Sequence, residues 1–216
     1  MGFQRLYPYG IFRRIPSSKE GNADAKVAYL TFDDGPIPEV TPQVLKILEY
    51  YHVKATFFMV GDNIVKYPDL CRQVAEAGHT IGNHTFHHVK GMRLSTRKYL
   101  EETKMCEQAI QANIPETYIQ AYKSSNAFRP PYGRTWVWQR CRLSQMGYNI
   151  YLWDVLTHDY NASYSPERMM TLIKRYTRNG SIINFHDSIK SNERMLATLP
   201  QAIEFLLSEE YTLLPL

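Results

Sequence analysis

The chain of 216 residues is 44% hydrophobic and 21% charged, with a formal net charge of +4. These proportions are those of a folded globular protein and exclude a disordered, collagen-like or coiled-coil chain. The length suffices for one well-buried core and requires no second domain. Basic residues are dispersed apart from Arg5, Arg13 and Arg14, so the sequence predicts no nucleic-acid partner.

Cysteine content and hydropathy exclude further classes of protein. Cys71, Cys106 and Cys141 are odd in number and widely spaced, so we expect free thiols rather than a disulfide framework or a CxxC metal motif. The sequence contains no run of about 18 apolar residues, and no transmembrane segment is predicted. Residues 1–16 also lack the apolar stretch of a secretory signal. Cellular location and oligomeric state stay open.

In chain order, residues 1–26 carry aromatic residues, proline and arginine without periodicity, and we expect an irregular N-terminal arm there. Over residues 27–216, short β-rich runs alternate with helical patterns, which is typical of βα units around a parallel sheet in one domain. Helix boundaries are indicated by Gly78, Ser95, Gly147 and Gly180. About seven strands are predicted, over residues 27–32, 55–60, 80–83, 126–128, 148–153, 181–185 and 211–214.

Polar clusters follow five of the predicted strands. In a βα barrel the carboxyl ends of the strands open onto one face, which is where active sites of such folds are built. We therefore expect the clusters to converge on a single site. They occupy residues 33–35, 84–88, 129–132, 154–159 and 186–187.

The cluster at residues 84–88 contains a candidate metal-binding pair. Histidines four positions apart on a helical turn share a face, so His84 and His88 can present two imidazoles to one metal. Surface histidines at the start of a helix are an alternative, and we assign that role to His79 and His87. Zinc proteases with similar spacing carry a glutamate base after the first histidine, whereas Thr85 stands here, so a base must come from elsewhere.

Asp33 and Asp34 are the candidates for this catalytic base. Adjacent carboxylates at a strand end point in different directions, so one can bind a metal while its neighbour accepts a proton. The alternative is a simple turn, which the sequence DDGP fits well.

Together these motifs resemble the polysaccharide deacetylases with a NodB homology domain, also called carbohydrate esterase family 4. That family carries, in order, TFDDG, H-[ST]-x-x-H, R-x-P-Y, an aspartate-bearing motif and L-x-H. The resemblance implies a distorted (β/α)7 barrel and a metal-dependent hydrolase that removes acetyl groups from a carbohydrate. The matching segments are residues 31–35, 84–88, 129–132, 157–160 and 184–186.

The resemblance also implies roles for residues on the metal side of the site. Asp34, His84 and His88 would hold one divalent metal, and Zn²⁺ suits these nitrogen and oxygen ligands best. Asp33 would be the base that deprotonates the attacking water. Arg129 would keep Asp33 ionised and oriented.

Further roles follow for the acyl and leaving-group side. The backbone N–H of Tyr132 would stabilise the oxyanion. His186 would be the general acid that protonates the leaving amine or alcohol, and Asp159 would keep its imidazole protonated and aligned. The partner would be an acetylated glycan, of N-acetyl or O-acetyl type, while the polymer itself stays open.

Two positions depart from the family pattern. Tyr160 replaces the usual tryptophan of the sugar-binding wall, and Asn184 replaces the leucine that lines the acetyl-methyl pocket. Strand alternation places Asn184 on the same side as Ile182. If that side faces the site, we expect a more polar pocket and poor activity on simple N-acetylglucosamine oligomers. Otherwise Asn184 bonds a neighbouring loop and never meets substrate.

Two other functions remain open from the residues alone. A carbohydrate-binding relative without catalysis would keep the fold, although retention of the acid, base and metal positions disfavours it. A non-haem iron oxygenase also uses two histidines and one carboxylate. Such enzymes usually have an all-β scaffold, and the βα alternation disfavours that class.

Overall fold

A computed structural model describes residues 9–12, residue 14 and residues 26–216. Most of the predicted N-terminal arm, residues 1–26, lies outside the described residues. Of that arm, Gly10–Ile11 forms a short strand that pairs in parallel with Asn149–Tyr151. Within the described ranges, no helix combines the length and the apolar character needed to cross a membrane.

Among the described residues, all the strands join one parallel sheet. They are β1 (Gly10–Ile11), β2 (Val27–Asp33), β3 (Thr56–Met59), β4 (Thr80–Asn83), β5 (Ala127–Phe128), β6 (Asn149–Tyr151), β7 (Val155–Leu156), β8 (Ser181–His186) and β9 (Thr212–Leu213). The spatial order is β1, β6, β5, β4, β3, β2, β8, β7, and β9 pairs with the start of β2.

Helices follow most of the strands, as βα alternation requires. They are α1 (Thr41–Tyr50), α2 (Gly61–Lys66), α3 (Pro68–Glu76), α4 (Thr96–Asn113), α5 (Glu116–Ser125), α6 (Val137–Gln145), α7 (Pro166–Tyr176) and α8 (Asn192–Ser208). Ser95 caps α4 by accepting a hydrogen bond from the Lys98 backbone N–H. Gly78 follows α3 with a φ of 75°, a left-handed conformation that favours glycine.

Every predicted strand is present, with boundaries that differ by no more than two residues. The additional strands, β1 and β7, contain two residues each, which is too short for a detectable alternation. β7 also lies inside the polar cluster at 154–159, where the sequence indicates a loop.

The central strands β2 and β8 show how the barrel interior changes character along its axis. Leu30 and Phe32 pack outwards with the helices, whereas Tyr29 points inwards against Phe58 and Ile182. Strand alternation therefore directs the later residues of the Tyr29 side into the interior as well. The interior is apolar at the amino ends of these strands and polar at their carboxyl ends.

The sheet is curled rather than flat, and short segments complete it. The Arg14 backbone N–H donates to the Gly180 carbonyl at 2.9 Å, which links the chain after β1 to the start of β8. At the bottom of the barrel, the Leu216 backbone N–H donates to the Thr56 hydroxyl at 2.9 Å. The architecture confirms the predicted distorted (β/α)7 barrel.

Candidate active site

All five polar clusters contribute at least one residue to a site at the carboxyl ends of the strands. Hydrogen bonds run from His84 to Arg129 and from Arg129 to Asp33, and Asp159 bonds His186 on the neighbouring β8. In the cluster at 154–159 the expectation is wrong for its first residue. The Asp154 carboxylate binds Arg178 and Ser181 at the opposite end of β8, because it satisfies an exposed cation there.

Asp34, His84 and His88 form the candidate metal site. One ligand atom from each lies within 4.8 Å of the others. Asp34 Oδ1 is 3.2 Å from His88 Nε2 and 3.8 Å from His84 Nε2. Tetrahedral bonds of about 2.0–2.1 Å separate neighbouring ligand atoms by roughly 3.4 Å, so this spacing fits a small divalent ion. Asp34 Oδ1 is buried and has no hydrogen-bond partner among the described residues, which also fits a ligand atom.

His84 is held in the form that a metal requires. Its Nδ1 lies 2.7 Å from the Arg129 carbonyl oxygen, which can only accept, so Nδ1 carries the proton and Nε2 offers its lone pair. Burial is the largest influence on this imidazole and lowers the pKa of His84 to about 4. The ring is therefore neutral at physiological pH and available for coordination.

The Asp34 carboxylate is anionic despite its surroundings. Burial acts to raise the pKa of Asp34, but the close side chain of His88 and the charges of His186 and His84 hold it well below its usual range. The backbone is strained here, since Asp34, Thr85 and His88 have φ values of 86°, 64° and 51°. Such conformations are uncommon for these residue types and cluster at functional sites.

Asp33 lies beside the metal site in a buried ion pair. Its Oδ1 accepts a hydrogen bond from Arg129 Nη1 at 2.7 Å, and the Asp33 and Arg129 side chains are 3% and 0% exposed. Arg129 Nη2 donates to the Leu152 carbonyl at 2.9 Å. The guanidinium also lies over the Phe58 ring, 4.1 Å from its centroid. Arg129 is thus fixed on several sides and presents one edge to Asp33.

His186 stands on the neighbouring strand, where its register pairs it with Asp33. Asp159 grips it twice, because Oδ1 lies 2.7 Å from His186 Nδ1 and Oδ2 accepts from the His186 backbone N–H at 2.6 Å. Burial acts to lower the pKa of His186, but the hydrogen bond and charge of Asp159 outweigh it and raise the pKa to about 9. This imidazole is therefore cationic at neutral pH, with Nε2 free to donate.

Comparison with known proteins identifies the family of this chain. The family model described as "Polysaccharide deacetylase" matches residues 20–151, more than half of the chain. The chain belongs to the polysaccharide deacetylase family.

Individual relatives cover most of the chain. A peptidoglycan-N-acetylglucosamine deacetylase from Bacillus cereus is 30% identical over 86% of this chain and 84% of its own length. The similarly described PgdA of Listeria monocytogenes is 28% identical over 91% of this chain, which spans only 41% of that relative. Among solved structures, the Bc1960 peptidoglycan N-acetylglucosamine deacetylase superimposes with a TM-score of 0.86 at 26% identity, covering 100% of this chain and 95% of its own.

Within this deacetylase family member, Tyr132 and Tyr160 stand at the rim of the site. Tyr132 has a φ of 60°, and its ring lies 4.7 Å from that of His88. Tyr160 packs edge-on against His186 with a centroid distance of 5.0 Å and is 43% exposed. The two tyrosines flank the metal ligands on one side and the candidate acid on the other.

The structure also adds residues that sequence reasoning did not assign. The Thr31 hydroxyl accepts from Arg129 Nη1 at 2.8 Å, and its position on the Asp33 side of β2 is the signal that could have found it. Asp187 accepts from the Gly35 backbone N–H at 2.9 Å and from the Thr41 hydroxyl at 2.7 Å. It therefore anchors the loop that carries Asp34.

The two histidines that we expected at the surface, His79 and His87, differ in solvent exposure. His87 is exposed and pairs with Glu102 at 2.9 Å, as expected of a surface histidine. His79 is buried instead, and its Nδ1 accepts from the Ala55 backbone N–H at 3.2 Å. The expected surface location of His79 is wrong. Its imidazole is buried because it accepts the hydrogen bond of the Ala55 backbone N–H, just before strand β3.

Proposed function

We propose that this protein is a metal-dependent deacetylase that hydrolyses the acetyl group of an acetylated carbohydrate. The observation that carries the proposal is the opposite pairing of two groups beside the Asp-His-His cluster. Asp33 faces the cation of Arg129, whereas His186 faces the anion of Asp159. A carboxylate base and an imidazolium acid at adjacent strand ends are what amide or ester hydrolysis needs.

The residues present fit one divalent metal. Asp34, His84 and His88 would hold it, with zinc best suited to their donors, and it would make both the attacking water more acidic and the acetyl carbonyl more electrophilic. All other steps belong to side chains and backbone of this chain.

Asp33 accepts the proton of the attacking water as oxygen adds to the acetyl carbon. The Tyr132 backbone N–H donates to the carbonyl oxygen as negative charge develops on it. His186 then gives its Nε2 proton to the leaving nitrogen or oxygen, because Nδ1 is committed to Asp159. One water is consumed, and acetate and the free amine or hydroxyl are released.

The substrate class is proposed from relatives. The Bacillus cereus and Listeria monocytogenes proteins are described as peptidoglycan-N-acetylglucosamine deacetylases, and a Rhizobium leguminosarum relative as a chitooligosaccharide deacetylase. These names denote N-acetylglucosamine of peptidoglycan in two relatives and chitooligosaccharides in the third. We propose that an N-acetylated glycan is the preferred substrate and an O-acetylated one is secondary.

A substrate panel tests this function. The zinc-loaded protein is incubated with acetylated chito-oligosaccharides, peptidoglycan and acetyl-xylan, and acetate release is measured with and without chelator. We expect chelator-sensitive release that does not require oxygen. Glycan binding without acetate release from any substrate would instead identify a non-catalytic carbohydrate-binding relative, and oxygen-dependent turnover would identify an oxygenase.

A further inference from the structure

Asn184 occupies an unexpected place in the site. It lies in β8 opposite Thr31 of β2, and its side chain is fully buried. It lies on the same side as Ile182, as alternation predicted, and that side faces the barrel interior, but its amide meets protein groups rather than an open pocket. Its Oδ1 accepts from Arg129 Nη1 at 2.6 Å, and its Nδ2 donates to Asp33 Oδ2 at 3.1 Å.

The chemistry of the partners fixes the orientation of this amide. A guanidinium can only donate hydrogen bonds, and an ionised carboxylate can only accept them. The amide oxygen of Asn184 must therefore face Arg129, and its NH₂ group must face Asp33. The Thr31 hydroxyl completes the cluster, donating to the Ile183 carbonyl at 2.9 Å while it accepts from Arg129.

Asn184 thereby holds the part of Asp33 that Arg129 leaves free. Arg129 bonds Oδ1 of the Asp33 carboxylate, and Asn184 bonds Oδ2. With Oδ1 alone held, the carboxylate could still rotate about its terminal torsion, which has a broad energy profile. A second donor on Oδ2 fixes the plane of the carboxylate. A leucine, which the family pattern has at this position, offers neither the donor nor the acceptor.

We propose that Asn184 is a positioning residue that sets the orientation of Asp33 for proton transfer. This inference rests on the proposed function, in which Asp33 is the base. The sequence suggests that Asn184 makes the acetyl pocket more polar and lowers activity. The structure gives the opposite expectation, because the amide bonds Arg129 and Asp33 and thereby supports the reaction. Replacement by leucine then removes an aid to catalysis.

A double-mutant cycle tests the inference through kcat. We expect Asn184→Leu to lower kcat about 5- to 30-fold with little change in KM, because the contact acts through Asp33 and not through substrate. In the Asp33→Asn background the same replacement should change the residual kcat less than about twofold. An equal loss in both backgrounds, or a rise in kcat/KM of Asn184→Leu on acetylated chito-oligosaccharides, would overturn the proposal.

Asn184→Asp provides a second variant of nearly unchanged shape. When ionised it keeps the acceptor for Arg129, loses the donor to Asp33 and adds a like charge beside Asp33, so we expect a loss of kcat that again depends on the Asp33 background. Gln139→Leu is the matched control for removing a buried amide, because Gln139 Nε2 bonds the Gly91 carbonyl at 2.9 Å and touches neither Asp33 nor Arg129. Its effect on kcat should be equal in both backgrounds.

A measurement without turnover separates this inference from the proposed function. The side-chain ¹⁵N amide signal of Asn184, assigned through its loss in Asn184→Asp, should move when Asp33→Asn is introduced. An unmoved signal would overturn the contact and with it the positioning role. If the signal moves but wild-type protein releases no acetate from any substrate, the proposed function and the catalytic part of the inference fail together, while the contact stands.

Discussion

The two sides of the site differ in how each reactive group is held. Asp33 sits inside the barrel, where Asn184 of the neighbouring strand β8 and Arg129, which directly follows β5, bind one carboxylate oxygen each. His186 stands nearer the rim, where a single loop residue, Asp159, contacts both its ring and its backbone. The base is thus held by a strand residue and a residue at a strand end, whereas the acid is held by a loop residue.

This difference assigns opposite charges to neighbouring groups. Asp33 forms an ion pair with the Arg129 cation, whereas the Asp159 anion favours the imidazolium form of His186. Environments that separate two titratable groups in this way allow one fold to supply an acid and a base at the same pH. Loops tolerate variation better than strands, so we expect the acid side to adapt more readily to different leaving groups.

Removing the base should give the largest effect on the reaction. Asp33→Asn should lower kcat by about 10²–10⁴-fold, since a positioned base contributes that much. Because Asp33 is not among the candidate ligands, metal content measured after dialysis should stay at the wild-type level. Asp34→Asn is the matched comparison, and it should lose metal as well as activity. The reverse pattern of metal loss would exchange the roles of the two aspartates.

Removing the cation should give the next largest effect, and it is measured on stability. Arg129→Met leaves Asp33 buried without its partner, which typically costs about 3–5 kcal/mol of unfolding free energy. Arg178→Met is the control, because Arg178 is 61% exposed in its pair with Asp154. It should cost no more than about 1 kcal/mol. Equal losses in urea denaturation would contradict the view that the barrel interior depends on this pair.

A double variant sharpens that prediction. Adding Asp33→Asn to Arg129→Met removes the unpaired buried charge, so part of the lost stability should return. If the double variant is as unstable as the sum of both single variants, the cost lies in the packing of Arg129 against Phe58 rather than in its charge.

Much of this site could be predicted from sequence because its parts lie at strand ends. The predicted strands were confirmed, and the motifs at residues 84–88 and 129–132 come together as parallel strands require. A sequence pattern carries such information because each polar cluster follows its own apolar strand. The proximity of the candidate ligands Asp34, His84 and His88 follows from that placement.

Other features could not be predicted, for physical reasons. The partners of Asn184 depend on the exact register of β8 against β2, which alternation gives only as a choice of side. Asp154 faces away because the two-residue strand β7 carries the chain along the sheet before the loop reaches Asp159. His79 is buried because its Nδ1 accepts from the Ala55 backbone N–H, and hydrophobic periodicity does not predict such a contact.

The smallest expected change concerns pH and tests the acid side. Asp159 raises the pKa of His186 to about 9 against the effect of burial. In Asp159→Asn the hydrogen bond weakens and the charge disappears, so the pKa of His186 should fall and the basic limb of kcat/KM should move to lower pH. NMR titration of the chelator-treated protein checks the same shift directly on the imidazole.

The contribution of the Asp159–His186 pair to folding stability should also decrease as pH rises. A folded-state pKa above the unfolded value of about 6.5 means that the pair stabilises the protein fully below that pH. The contribution is lost as pH rises through about 9, where His186 gives up its proton. The difference in urea midpoint between wild type and Asp159→Asn should therefore be largest near pH 6 and shrink above pH 9. A difference that stays constant across this range, together with an unmoved basic limb, would remove Asp159 from control of His186 and leave the acid side without its charge partner.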